Sequence, residues 1–275
     1  MKVLQTSIRI LVTVFFGLLS SSCKTEPESS QAAVLKQTVN SEKPEVLTIY
    51  AAAGTRPVTT EICDLFEKDK NVVVEKNFAS SGTLARQIAS GASVDLFVSA
   101  NKQWIDFLKE KNLLKDDTIK TIAGNSLVFI APKGSNPVTL EFTEDFNIAS
   151  AAENIAVGDP AYVPVGKYTH AVFKKLQWSD KLEGKLVLAK DVSSVLHYVE
   201  LKECNLGVVY KSEALCSKKV NIVADVPEEL HAPIVFYIAE LKNSSSSKTS
   251  HQLSEMFVNR GKEIFVKYGF KPSAQ

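Results

Sequence analysis

The sequence predicts an α/β fold built as two halves of similar size. Three observations carry this. Short apolar runs alternate with amphipathic stretches along the chain, as strand–helix units with a mostly parallel sheet require. At about 150 residues per domain, 275 residues allow about two units. The composition, 45% apolar and 23% charged with mean hydropathy near zero, is that of a globular chain. It excludes disordered, collagen-like and multi-span membrane classes.

The first element is a targeting segment. Lys2 and Arg9 accompany an apolar stretch at residues 10–19 (ILVTVFFGLL). That stretch is too short for a bilayer, which needs about 20 residues. It fits the core of a secretory signal spanning residues 1–22. Ser20-Ser21-Ser22-Cys23 follows, and small residues before a cysteine resemble a lipoprotein processing site. Cys23 is thus the expected lipidated N-terminus, although Ser20 stands where such sites usually carry Leu. Residues 23–44 are read as the lipidated cysteine and a polar, flexible tether. The expected location is outside the cytoplasm, periplasmic or on the cell surface, anchored to a membrane.

In the body, residues 46–50 (VLTIY) alternate as a strand, and AAAGT (51–55) turns the chain. Val58, Ile62, Leu65 and Phe66 then recur at helical spacing. Residues 72–78 predict a second strand, ASSGT (79–83) a second small, hydroxyl-rich turn, and Leu84 and Ile88 a helix ending at Gly91. Residues 95–99 predict a third strand, and Asn101 caps a helix carrying Trp104, Phe107 and Leu108. The second half repeats the pattern, with strands at 127–131, 155–157, 186–188, 206–210 and 222–223. Its helices are expected at 166–176 and at 192–199, the latter entered through Asp191 or Ser193. A strand at 234–238 and a helix over 253–265 close the chain, after a polar loop at 244–247.

Charge and cysteines narrow the function classes. The net charge is +1 from 32 basic and 31 acidic side chains, and the first 22 residues hold two of the basic ones and no acid. A near-neutral body argues against nucleic acid as a partner. Beyond Cys23, Cys204 and Cys216 are close enough in sequence to pair, and Cys63 is expected as a buried apolar side chain. No Cys/His spacing suggests a metal cation, and no cofactor is expected.

The informative feature is where the small residues sit. AAAGT and ASSGT both open amphipathic helices after strands, at the sheet edge where ligands bind. A helix start offers unpaired N–H groups and a positive dipole end, and nearby hydroxyls add donors. Together they make an anion site without formal charge. Either turn alone is more often an ordinary cap; two in adjacent units shift the balance.

The stretches TIYAAAGT (48–55), FASSGTLARQI (78–88), DLFVSANKQWIDF (95–107), GNSLVFIAPK (124–133), AVGDPAYVPVGKY (156–168), LGVVYKSEA (206–214) and IFVKYGF (264–270) follow one another across the body. In that order they resemble the molybdate-binding proteins of ABC importers, within the two-lobed solute-binding class. The resemblance implies a cleft between two α/β lobes, 45–125 with 231–275 forming one and 126–230 the other. It implies hinge crossings near Gly124 and His231. It implies a monomer that captures molybdate or tungstate and delivers it to a membrane permease. The implied oxyanion contacts are Gly54, Ser81, Val165, Val192 and Tyr210. The family usually has Ser where this chain has Gly54, and neighbouring Thr55 is the candidate replacement hydroxyl.

Alternatives stand beside this. Within the binding class the rival ligand is another tetrahedral oxyanion such as sulfate. A serine hydrolase is the rival of another class, but no G-x-S-x-G elbow occurs, and His170, His197, His231 and His251 read as surface or structural. The chain is therefore expected not to be an enzyme. Asp159 and Asp191 are expected to tighten the turns that present Val165 and Val192, and Lys167 and Arg86 to face solvent. A receptor-linked or adhesive module is a third class without a marked docking face.

Overall fold

The computed structural model describes residues 43–136 and 138–273. The signal segment, Cys23 and the tether up to residue 42 lie outside the described residues. Strands in chain order are β1 (Glu45–Ala52), β2 (Val72–Ala79), β3 (Leu96–Ser99), β4 (Lys120–Asn125), β5 (Leu127–Pro132), β6 (Ile155–Gly158), β7 (Leu186–Ala189), β8 (Leu206–Tyr210), β9 (Val220–Asp225) and β10 (Ile234–Glu240). Helices are α1 (Arg56–Asp69), α2 (Ser81–Ala89), α3 (Lys102–Glu110), α4 (Ile148–Ala151), α5 (Pro164–Lys175), α6 (Val192–Glu200), α7 (Lys211–Cys216), α8 (Ser247–Val258) and α9 (Gly261–Lys267).

The strands form two five-stranded sheets, ordered β2-β1-β3-β10-β4 and β7-β6-β8-β5-β9. Each sheet with its helices is one lobe of a two-lobed α/β fold. The chain passes from the first sheet to the second through Ser126 alone, between β4 and β5. It returns through residues 226–233, between β9 and β10. The sheets are mostly parallel in direction: in each, four of the five strands run one way and one runs against them. β1 runs parallel to β2 and β3, and β6 to β7 and β8. The strands that begin after each crossing, β5 and β10, pair antiparallel with both neighbours. A strand entering from the other lobe starts at the edge where the parallel strands end, so it must run the opposite way.

Helices cover both faces, and this explains the unbroken apolar runs. β3, β5 and β8, central in their sheets, are buried at every residue. β1 alternates over its first part and then becomes buried as it nears the turn at 53–55.

Local differences from the sequence reading have physical causes. α5 begins at Pro164, two residues early, because proline suits a first helical position, where no amide bond is needed. The predicted single helix over 253–265 is two, α8 and α9, broken at Asn259–Arg260. Gly261 restarts it in close contact with α1, where a Cβ would lie 3.1 Å from Ile62 Cδ1. β4, α4 and α7 were not anticipated. Cys204 and Cys216 do not pair. Cys204 packs in the core whereas Cys216 faces solvent at the end of α7, so the two thiols occupy different environments. Cys63 is fully buried, and that burial pushes its thiol up to about 12.

Candidate functional site

Four helix starts converge between the lobes. α1 is entered through a single 3-10 turn, Ala53–Thr55. α2 begins at Ser81, whose preceding residue Ser80 is the N-cap and accepts the Thr83 amide at 3.2 Å. α5 begins at Pro164 with Val165 next. α6 begins at Val192, with Asp191 as N-cap accepting the Ser194 amide at 2.8 Å. First-turn N–H groups have no intrahelical acceptor, so Ser81, Val165 and Val192 each present an amide donor. The turns are held tightly. Asp159 Oδ1 accepts the Ala161 amide at 2.9 Å, and its carbonyl accepts the Val163 amide at 2.8 Å. Asp159 and Asp191 therefore brace the segments that present Val165 and Val192.

Glycines allow the close packing this needs. At Gly166 a Cβ would lie 1.9 Å from the Gly158 carbonyl oxygen, so the first turn of α5 sits directly on the end of β6. Gly54 meets the opposite lobe: a Cβ there would lie 3.1 Å from Val192 Cγ1 and 3.5 Å from both Tyr210 Cδ2 and Glu213 Oε2.

The five residues singled out from the sequence, Gly54, Ser81, Val165, Val192 and Tyr210, line one small cavity. Ala53, Ser80, Ala100 and Pro164 are among the rest of its lining. Its volume is about 10 Å³, room for about one water. No Lys, Arg, His, Asp or Glu is among its described lining residues. Larger grooves of about 270 and 260 Å³ open near the crossings, around Lys167 and Tyr237 and around His231 and Lys271. They lie beside the crossings and take in none of these five residues.

Among the lining residues, Ser81 and Tyr210 carry hydroxyl protons without an acceptor among the described residues. Ser81 is fully buried, and its Oγ accepts the Ala100 amide at 3.0 Å. That bond uses an oxygen lone pair and leaves the O–H proton free to donate. Tyr210 closes β8 and is fully buried edge-on to Phe236, centroids 5.4 Å apart. Its phenol oxygen has no hydrogen-bond partner. Burial holds the phenol well above its ordinary range, so it stays protonated. A buried, unpartnered O–H is costly unless something else accepts from it.

Thr55 does not replace the hydroxyl that Gly54 lacks. It is fully buried, its Oγ1 donates to the Ala52 carbonyl at 2.8 Å and accepts from Thr59 Oγ1 at 3.0 Å, and it does not line the cavity. Arg86 lies over the rings of Trp104 and Tyr162, and Lys167 bonds Gln103; neither lines the cavity. The four histidines also lie off it. His251 bonds Glu240 at 2.7 Å and His197 the Ser193 carbonyl at 3.1 Å.

Sequence reasoning missed Glu213, which stands behind Gly54 and accepts from Ser193 Oγ at 2.7 Å. Desolvation pushes its carboxyl up to about 7, with Asp191 adding to the rise. The Ser193 bond, Arg56 and His197 pull the other way. Nothing local in KSEALC marks this carboxyl as buried. Ser80 was not singled out either, although an N-cap serine before a helix is the signal that would have found it.

The arrangement turns uncharged donors from both lobes onto one small cavity, a chemistry that favours an anion. A family profile described as "Bacterial extracellular solute-binding protein" matches residues 47–271. The molybdate-binding protein ModA of Escherichia coli is 38% identical over 226 residues, 82% of this chain and 88% of its own. A Bacillus subtilis chain provisionally named as the ABC transporter substrate-binding lipoprotein YvgL is 37% identical over 92% of this chain and 93% of its own. The solved periplasmic molybdate-binding protein of Azotobacter vinelandii superposes with a TM-score of 0.73 at 19% identity, over 83% of this chain and all of that one. With its two α/β lobes closed on one donor-lined cavity, the chain belongs to the bacterial extracellular solute-binding proteins.

Proposed function

We propose that this protein captures molybdate or tungstate and hands it to the permease of an ABC importer. The single observation that carries this is the Tyr210 phenol, buried and unpartnered, facing a cavity ringed by first-turn amides from both lobes. In this reading Ser81 and Tyr210 donate through hydroxyls, and Gly54, Val165 and Val192 through backbone N–H groups. A doubly charged ion out of water needs such a full set of donors. Charge-assisted hydrogen bonds make each one stronger than its neutral counterpart. A donor-only cage disfavours protonated phosphate, whose O–H would find no acceptor.

The lobes would be residues 45–125 with 231–275, and 126–230, closing about the two crossings near Gly124 and His231. Cys23 would carry the lipid and residues 24–44 would hold the body off the membrane. The lipoprotein name of the Bacillus subtilis relative supports this part of the reading. The protein would bind its cargo without transforming it, as a monomer.

A thermal-shift series with molybdate, tungstate, sulfate, phosphate and chromate tests the reading. A ligand that binds only the folded state raises the melting temperature by mass action. Molybdate and tungstate are expected to raise it most. A response to sulfate alone would transfer the assignment to another oxyanion, and no response to any would remove it.

A further inference from the structure

Tyr162 stands on the loop between β6 and α5, outside the oxyanion cavity, yet it packs on the core of the opposite lobe. Its carbonyl accepts the Gly82 N–H at 3.1 Å. Its ring centroid lies 5.1 Å from the Arg86 guanidinium, which is also 5.4 Å from the Trp104 ring. Gly82 and Arg86 belong to α2 and Trp104 to α3, all beside the first sheet. The fit leaves no spare room: a Cβ on Gly82 would lie 2.4 Å from both Tyr162 O and Trp104 Cζ2.

We propose that Tyr162 and Arg86, with Trp104 as their floor, form a clasp between the lobes that sets how slowly the bound ion leaves. The inference rests on the oxyanion reading above. The clasp spans the two lobes, so any opening must separate the half-buried Tyr162 ring from Arg86 and expose that ring to water. Cation–π attraction therefore favours the closed form. An ion held between the lobes departs only after opening, so the clasp acts on dissociation. It leaves association untouched, because its halves are apart in the form that first meets the ion. Tyr162 and Arg86 are positioning residues; neither touches the cavity.

The experiment is stopped-flow binding of sodium molybdate followed by tryptophan emission. The chain has two tryptophans. Trp178 is buried among Phe142, Phe146 and Phe173 in the other lobe, so closure is read through Trp104. Tyr162→Ala is expected to speed dissociation about tenfold and leave association within about twofold. Tyr162→Phe keeps the ring and is expected to match the wild type. Arg86→Met is expected to act like Tyr162→Ala, and the double variant to add little, as for two halves of one contact. Arg86→Met also serves should Tyr162→Ala fail to fold. Unchanged dissociation in the folded single variants would overturn the clasp while leaving the oxyanion site standing. A wild type that binds neither molybdate, tungstate nor sulfate would remove the oxyanion reading and the clasp with it.

Discussion

Ser193 Oγ donates to Glu213 Oε1 at 2.7 Å, tying the first turn of α6 to α7 directly behind Gly54. Glu213 is thus a buried carboxyl next to a cavity suited to an anion. Its folded-state value of about 7 stands above the ordinary 4.5 because burial disfavours the charge. A raised carboxyl favours the fold while protonated. Its contribution is complete below the ordinary value and is lost as pH climbs from there through about 7. The span corresponds to about 3 kcal/mol. Chemical denaturation at stepped pH should show stability falling over this window. Glu213→Gln should flatten that fall, and an equal slope in both proteins would count against a buried proton there. Oxyanion affinity should weaken in the same direction, because an ionised carboxylate repels the ligand.

Ser81 and Tyr210 should part company in the empty protein. Each is expected to cost about 1–3 kcal/mol of oxyanion affinity when its hydroxyl is removed. Ser81→Ala also strands the Ala100 amide and should lower unfolding stability by about 1 kcal/mol or more. Tyr210→Phe removes a buried group that has no partner, so it should raise stability by about 1 kcal/mol while weakening binding. Calorimetry paired with melting curves reads both signs. Unaltered affinity in both variants would discard the site.

At Gly54 the two lobes come within contact distance. Gly54→Ala should cost about 1 kcal/mol of affinity, since its methyl would press on Val192. Gly54→Ser brings the same carbon but adds a donor, so it should lose less than alanine and change the molybdate-to-sulfate ratio. Titration calorimetry with both ions checks the order; identical ratios in all three proteins would show position 54 to be irrelevant to selection.

Gly166 is a test of the scaffold. Any Cβ there overlaps the Gly158 carbonyl, so Gly166→Ala should lose about 3 kcal/mol or more of stability. Urea unfolding measures it, and a loss under about 1 kcal/mol would mean that the start of α5 has room to move.

Much of the site was legible because its physics is local. A strand running into a small-residue turn and then an amphipathic helix places N–H donors at a sheet edge, and both AAAGT and ASSGT do this. The alternation of elements, the caps at Ser80, Asn101 and Asp191, and the buried Cys63 follow from side chains near in sequence. Each turn by itself, however, reads as an ordinary cap, and a resemblance across the body was needed to join them.

Tertiary structure decided the rest, because it depends on residues far apart in the chain. Strand direction after each crossing is invisible in a run such as LVFIA, which suits either pairing. Whether a hydroxyl is free is settled by its neighbours: Thr55 is consumed by Ala52 and Thr59, whereas Tyr210 is left unpartnered. The burial of Glu213 and the separation of Cys204 from Cys216 arise the same way, from where α7 packs. The chain alone specified which segments become strands and helices and where donors cluster along it. Only packing could determine which donors meet, since hydrogen bonding and desolvation act over a few ångströms of space, whatever the separation in sequence.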